Sequence, residues 1–510
     1  MGLLPLQILK RAFWLVVSLG AIFSKTVCAQ TIQTSNPSPD NTAKRLVLYD
    51  GPGGASCTHY LANAVIWEKR SGDWIDAKGL RFGSQAFAIT APTATGAVWD
   101  ATALARKWLE ADDRQGGFFL RVISGTGYAS FSSRESKNVA DRPTLVLVFA
   151  DGQRKYLAAN ADTQLDCSTT TSLGTADKVL SSPNHHALFQ FPLTAAKSIK
   201  SKLERAQLVL SSAAAPGGGT TQIGVFEIAT PRLPDGPIQP GLAKKYPMDQ
   251  GVTKDADVIF AENFDHSRDW PFGWAKGALG EMDLLAESGP QGFVPLLGTS
   301  LRVNLKKGAN LGADLRLKLR DFGPEPDELF FRYYLRLGDD WKQTIADGKM
   351  PGMAGTYNAA GWGGRKADGT KGWSMRGGYQ RGFEAGHPLH NLWPLGSYAY
   401  HADMKGTYGD IWQWPGVFLE RNRWYSIEQQ VKLNDLGKNN GVLKVWLDGR
   451  LVMEKLDLQY RKSAHLHIEW VWFNVYHGGA AVSPEDQHLF IDNVVVARKY
   501  IGPITTLPSN

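Results

Sequence analysis

The chain has 510 residues, 43% of them hydrophobic and 21% charged, with a net charge of +7. That length exceeds one ordinary domain, and the apolar content excludes a disordered polymer. The charge excess is too weak to identify a partner by itself, and no nucleic-acid ligand is expected from it.

Lys10 and Arg11 precede the apolar run "AFWLVVSLGAIF", and "VCA" offers a cleavage site after Ala29. The run is too short to cross a bilayer, so residues 1–29 are expected to be a signal peptide. The mature chain would then be secreted or periplasmic and make no membrane contact. Of the remaining cysteines, Cys57 and Cys167 can be oxidised to a disulfide in such a compartment, or can stay as two buried thiols. Spacing does not choose between these.

From about residue 45 to 230 come short strand-like runs: "RLVLYD", "QAFAIT", "GFFLRVIS", "TLVLVFA", "ALFQFPL", "AQLVLSS" and "QIGVFEI". Turn residues separate them, which predicts a β-sandwich, a carbohydrate-binding or spacer domain. One helix is predicted in "DATALARKWLE", where Leu104 and Trp108 are four apart. Residues 231–256 are proline-rich and read as a linker that lets the following part fold independently.

Residues 257–503 carry longer runs, such as "ELFFRYYLRL", "WYSIEQQVKLN" and "GVLKVWLDGRLVMEK". They predict a larger sandwich of jelly-roll type, making the protein all-β. Twelve of the 17 tryptophans fall here, so the question is which of them pack and which stack on sugar rings. Trp470 and Trp472 alternate with Val471 in an apolar run and read as core. Trp362, Trp373, Trp412 and Trp414 lie in Gly-rich or Pro-flanked stretches and suit a groove. Lys342, Lys349, Arg365, Lys366, Lys371, Arg376 and Arg381 crowd a window holding only Asp347 and Asp368. Such a window can attract an anionic ligand, although most charge runs are solvated loops.

Three short pieces of this part carry chemistry: "DGKMPGM" with Lys349, "GWSMRGG" with Ser374 and Arg376, and "SYAYH" with Tyr398, Tyr400 and His401. On a strand, Ser374 and Arg376 share a face, and so do the two tyrosines. An amine, a guanidinium and two phenols suit β-elimination of a uronic-acid polysaccharide. That reaction needs a base, a cation for the carboxylate and an acid for the leaving oxygen. The cations are expected to lower the phenol pKa. Hydrolysis would need paired carboxylates, which the window lacks. Packing is the plainer role for a Tyr-x-Tyr pair. A competing cluster, His465, His467 and Glu469 in "HLHIE", has metal-ligand spacing but also reads as a polar strand face.

Taken in order, "GKMPG", "WSMR", "YAY", "NRWYSIEQQVKLN", "GVLKVWLDG" and "FNVYHGG" resemble the family-14 polysaccharide lyases over roughly residues 257–500. The resemblance implies a jelly-roll enzyme acting on alginate or glucuronan, with Lys349, Ser374, Arg376, Tyr398 and Tyr400 lining the catalytic cleft and the two tyrosines as the proton-transfer pair. Trp373, Arg365, Gln380, His401 and His477 are the candidates for further substrate contact, with a structural hydrogen bond as the other role for His401. The stretch "FEAGHPLHNLWPLG" reads as an insertion that brings His387, His390 and Trp393 near the cleft. Pieces of the first half, among them "FSSRESKNVADRPTLVLVF" and "ADTQLDCSTTTSLGT", resemble DNRLRE-type β-sandwich domains in permuted order. The expected protein is a monomeric lyase without cofactor or metal, with an anionic polysaccharide as its partner. A non-catalytic carbohydrate-binding protein using the same groove is the alternative.

Overall fold

The computed structural model describes residues 47–505 except 50, 52–53, 62–64, 112–114, 170, 200, 231–236, 266–274, 277–279 and 343–346. The expected signal peptide and the start of the linker lie outside the described residues. Antiparallel strands make up most of the regular structure of the described residues, as the alternating patterns require. None of the described helices is long and apolar enough to cross a membrane.

The first half is a sandwich of two sheets. One runs Ala161–Asp166, His185–Pro192, Gln115–Gly125, Thr221–Ile228, Trp74–Ile75, with Ala88–Thr90 beside Thr221–Ile228. The other runs Lys178–Ser181, Tyr128–Ser132, Leu203–Gly217, Thr144–Phe149, Arg154–Ala158, with Gly96–Asp100 on Leu203–Gly217. Trp99, Phe118, Phe131, Leu147, Phe189 and Leu208 fill the space between them. The predicted helix is Thr102–Glu110, and its four-apart pair Leu104 and Trp108 is buried. Of the predicted strand "RLVLYD", only residues 47–49 are described, and these have no regular structure. Cys57 and Cys167 form a disulfide, which ties the segment before the sandwich to its edge.

The second half is a larger sandwich. Its outer sheet runs Glu281–Leu285, Ser300–Leu305, Gln487–Ala497, Glu328–Leu337, Trp424–Lys432, Gly441–Leu447, Arg450–Leu458, with Val258–Glu262 on Gln487–Ala497. Facing it is a seven-stranded sheet: Ala275–Lys276, Leu311–Lys318, Trp470–His477, Gly348–Gly355, Trp373–Tyr379, Trp393–Tyr400, Asp410–Leu419. Phe331, Tyr333, Met353, Met375, Ile427 and Phe473 are among the side chains that interdigitate between the sheets. The hairpin in "WLDGRL" turns at Asp448 and Gly449, with φ of 50° and 78°. Two consecutive left-handed residues are what a two-residue hairpin turn demands.

Two findings depart from the sequence reading. Residues 237–256 are not a free spacer. The Leu242 and Ala243 N–H groups donate to the Tyr500 and Ile501 carbonyls at 3.1 and 2.8 Å. Leu242, Ala243 and Val252 are buried with Trp446 and Ile501. Arg332, wholly buried, pairs with Asp249 of this segment. Secondly, the insertion 383–393 does not line the site. Leu389, Leu392 and Phe418 share an apolar cluster with Leu61, Trp67, Phe119 and Phe226 of the first half. His387 stacks on Phe383 at 4.3 Å and meets Tyr49 edge-on at 4.6 Å. Trp393 is core, its indole N–H donating to the Lys342 carbonyl at 3.2 Å. The extra sequence is apolar because it is a docking surface between the halves.

Candidate active site

The outward face of the seven-stranded sheet carries the chemistry. Period-2 alternation sends Trp373, Met375 and Ala399 into the core, and Ser374, Arg376 and Tyr398 to the other side. Register then decides who meets whom. Arg376 stands opposite Tyr398, Ser374 opposite Tyr400, and Lys349 opposite Tyr476. The Lys349 Nζ lies 5.0 Å from the centre of the Tyr398 ring, and the Arg376 guanidinium carbon 5.2 Å from it. Lys349, Arg376 and Tyr398 therefore share one position, as their separate sequence pieces predicted.

Arg376 is 4% exposed, lies 4.5 Å from the Trp472 ring, and donates from Nη1 to Asn474 Oδ1 at 2.8 Å. Its Nε has no partner, and it forms no ion pair among the described residues. Burial lowers its pKa to about 10. Lys349 donates to the Gly478 carbonyl, and burial, aided by repulsion from Arg376, pushes its pKa down to about 8. Tyr398 behaves otherwise than expected. Burial, then its hydrogen bond with Tyr400, pushes its phenol up, and these outweigh the opposing pull of Arg376. Two cations do not make an acidic phenol when the site is this dry.

Tyr400 and Ser374 sit behind this front row, both fully buried. The Tyr400 hydroxyl accepts the Gly364 N–H at 3.2 Å, and the Ser374 hydroxyl donates to the Gly361 carbonyl at 2.6 Å. Both hold the glycine-rich turn 361–364 against the sheet. Gly361, Gly363 and Gly364 all have positive φ, so the turn can be this tight. Arg365, exposed on that turn, stacks on Trp362 at 4.7 Å. Gln380 is 8% exposed at the far end of the Arg376 strand.

Three expected contact residues turn away. Trp373 is core, with its N–H on the His467 carbonyl at 3.2 Å. His401 takes the structural hydrogen bond, to Asp410 at 2.8 Å, and packs against Trp412 on the side away from Tyr398. His477 is buried beside Tyr379, with Nδ1 on the Ala481 carbonyl at 3.1 Å. Of the four groove tryptophans, Trp373 and Trp414 are core and Trp412 packs against it. Trp362 alone stands on the outward face. There it joins Trp470 and Trp472, which were read as core but cluster with Ala354 outside it. The alternation in "WVWFNVY" was the available signal, since Val471, Phe473 and Val475 take the core. The same alternation turns Asn474 and Tyr476 to the outward face, and the sequence reading missed both.

The metal-spaced cluster comes apart. His465 bonds Ser463 at 2.7 Å, His467 bonds Asp327 at 2.6 Å, and Glu469 accepts the Tyr357 N–H at 2.7 Å. No group of three metal-ligating side chains exists among the described residues.

Most of this outward face falls inside a segment similar to a known family: the polysaccharide lyase 14 family model matches residues 312–494. Lys349, Ser374, Arg376, Tyr398 and Tyr400 lie inside the matched segment, and the first half lies outside it. Similar solved structures include the alginate lyase vAL-1 from Chlorella virus, 16% identical, covering 48% of this chain and 100% of that one at a TM-score of 0.37. The marine PL-14 alginate lyase from Aplysia kurodai is 17% identical, covering 47% and 99% at 0.35. The endo-β-1,4-glucuronan lyase from the fungus Trichoderma reesei is 15% identical, covering 47% and 95% at 0.33. No curated protein matches the chain.

Proposed function

We propose that this lyase is an exported enzyme that cleaves a uronic-acid polysaccharide of alginate or glucuronan type by β-elimination. The observation that carries the reading is Arg376: a buried guanidinium, bonded to a neutral amide and paired with no carboxylate among the described residues. A buried cation without a counterion is costly, and a substrate carboxylate would supply one.

Lys349 and Tyr398 divide the proton work. With its pKa at about 8, Lys349 is partly neutral in mildly alkaline solution, and its lone pair can take the proton from the carbon beside the carboxylate. The electron pair left on that carbon delocalises into the carboxylate held by Arg376. It then forms a carbon–carbon double bond as the glycosidic C–O bond breaks. Tyr398, which keeps its proton, gives it to the leaving oxygen. Transfer from the Lys349 ammonium to the Tyr398 phenolate restores both groups. Tyr400 orients the Tyr398 hydroxyl and touches no substrate.

Export is supported by the Cys57–Cys167 disulfide, a bond that persists in oxidising compartments. The test is incubation with alginate and with glucuronan, followed by ultraviolet absorbance. Elimination creates a conjugated unsaturated uronate, whereas hydrolysis or simple binding does not. No new absorbance on any uronan, with binding retained, would make the protein a carbohydrate-binding module.

A further inference from the structure

The electrostatic arrangement around Arg376 occurs a second time, in the first half. Arg121 lies on the strand Gln115–Gly125, whose alternation sends Phe118 and Leu120 into the sandwich core and Phe119 and Arg121 to the opposite face. Its guanidinium carbon is 4.4 Å from the Trp74 ring and 5.6 Å from that of Phe226. Its Nε is buried without a partner, and it forms no ion pair among the described residues. Beside it, in the next strand, stands His186, whose Nδ1 is also buried and unpartnered. Burial, then repulsion from Arg121, lowers the His186 pKa to about 4. Burial likewise lowers that of Arg121.

The acids close by in sequence are already engaged. Asp73 pairs with Arg81 and accepts the N–H groups of Glu68 and Lys69, each at 2.9 Å. Asp76 accepts the N–H groups of Lys78 and Leu80, also at 2.9 Å. Asp166 meets His185 at 3.5 Å, and alternation turns this pair to the face opposite His186. What remains is a half-buried arginine held by two aromatic rings next to a destabilised imidazole, with no negative charge paired to them among the described residues. In a polypeptide chosen for stability alone, a carboxylate would stand there.

We infer that Arg121, His186 and Trp74 form a second carboxylate-binding position, one that holds an acidic sugar of the polymer away from the lyase domain. The class of ligand rests on the uronate reading of the proposed function; the need for an anion rests on Arg121 itself. A guanidinium already stacked on Trp74 has lost its freedom before the ligand arrives, so little ordering is left to oppose binding. The neutral His186 offers a hydrogen bond to the same carboxylate. The first half would then keep the enzyme on its polymer between cleavages.

The test uses the full chain on immobilised alginate and glucuronan, with dextran as the neutral control. The Arg376→Ala variant removes the grip of the lyase domain, and retention by the acidic gels is expected to persist. Adding Arg121→Gln should weaken that retention by about tenfold or more, the scale of a lost charge-assisted hydrogen bond. The His186→Asp variant gives Arg121 a carboxylate of its own. It should abolish the residual retention in the Arg376→Ala background while leaving thermal stability equal or higher, which guards against misfolding of the Arg121→Gln chain. Retention unchanged by His186→Asp, or lost entirely on Arg376→Ala alone, overturns the inference. Unsaturated product from the wild type reports the proposed function separately, so either reading can fail without the other.

Discussion

Arg376 and Tyr398 face each other across two antiparallel strands, and the guanidinium lies over the phenol ring at 5.2 Å. The same guanidinium lies 4.5 Å from Trp472, so two aromatic faces fix its plane. An Arg376→Lys variant keeps the charge and loses both the planar fork and the stacking. Its rate of unsaturated-product formation should fall by about two powers of ten or more, with circular dichroism unchanged. A rate near wild type would mean that any cation suffices at that position.

The two phenols should separate in their effects. Tyr398→Phe removes the proposed acid and should lower the rate by about two to four powers of ten. Tyr400→Phe removes an acceptor for the Gly364 N–H and the partner of Tyr398, so its effect on rate should be smaller and its effect on melting temperature larger. The reverse order of rates would move the acid role to Tyr400.

Lys349 sets a pH dependence of definite sign. Its pKa is lowered to about 8, so the neutral amine grows as pH rises through that value. If neutral Lys349 is the base, kcat/KM should climb from about pH 7 to a plateau near pH 9, since this ratio reports groups of the free enzyme. A profile that falls over the same range would show that Lys349 works as a cation.

The point at which the second half begins matters. A chain truncated to begin at residue 257 lacks Asp249 and leaves Arg332 buried and unpaired. Losing one partner of such a pair costs about 3–5 kcal/mol. A chain beginning at residue 237 keeps the pair. The longer truncation product should therefore melt well above the shorter one, and Asp249→Ala in the full chain should reproduce the difference. Equal melting temperatures would show that water reaches Arg332 once the segment is gone.

His387 gives the docking of the two halves an acid limit. Burial holds its pKa at about 4, below the ordinary imidazole value of 6.5. A lowered histidine contributes stability that is complete above the unfolded pKa and is lost as pH falls toward the folded one. Between about pH 7 and pH 5 the wild type should lose more melting temperature than a His387→Phe variant, which keeps the stacking on Phe383 without a titrating ring.

Local pattern made much of this legible. The run "ELFFRYYLRL" is a strand over Glu328–Leu337, with the ends the sequence predicted. Lys349, Arg376 and Tyr398 were placed together on strand spacing and ordered motifs. What failed was partnership across the chain. Trp373 and Trp470 are both tryptophans in strands, and only the other sheet decides which is core. The insertion around His387 had no visible purpose without the first half that covers it. The basic window also misled in part, because Lys342 and Arg381 pair with Glu485 and Glu384, which lie outside it. The phenol pKa was misjudged because burial, invisible in a sequence, outweighs a neighbouring cation.

Strand order in the outer sheet bears on how the protein can be made. Gln487–Ala497, the last strand among the described residues, sits between Ser300–Leu305 and Glu328–Leu337. Until the ribosome has delivered it, that sheet is three pieces, the pair Glu281–Leu285 and Ser300–Leu305, the lone Val258–Glu262 and the block from Glu328–Leu337 onward, with raw edges toward one another. The first half, complete by Ile228, has no such delay and can stand finished while the rest is still emerging. A nascent chain therefore presents a folded front end to whatever machinery handles it, and a gap in the rear that only Gln487–Ala497 closes. A nonsense codon just before Gln487 would leave that gap open, and its product would be prone to strand-to-strand aggregation rather than slow turnover.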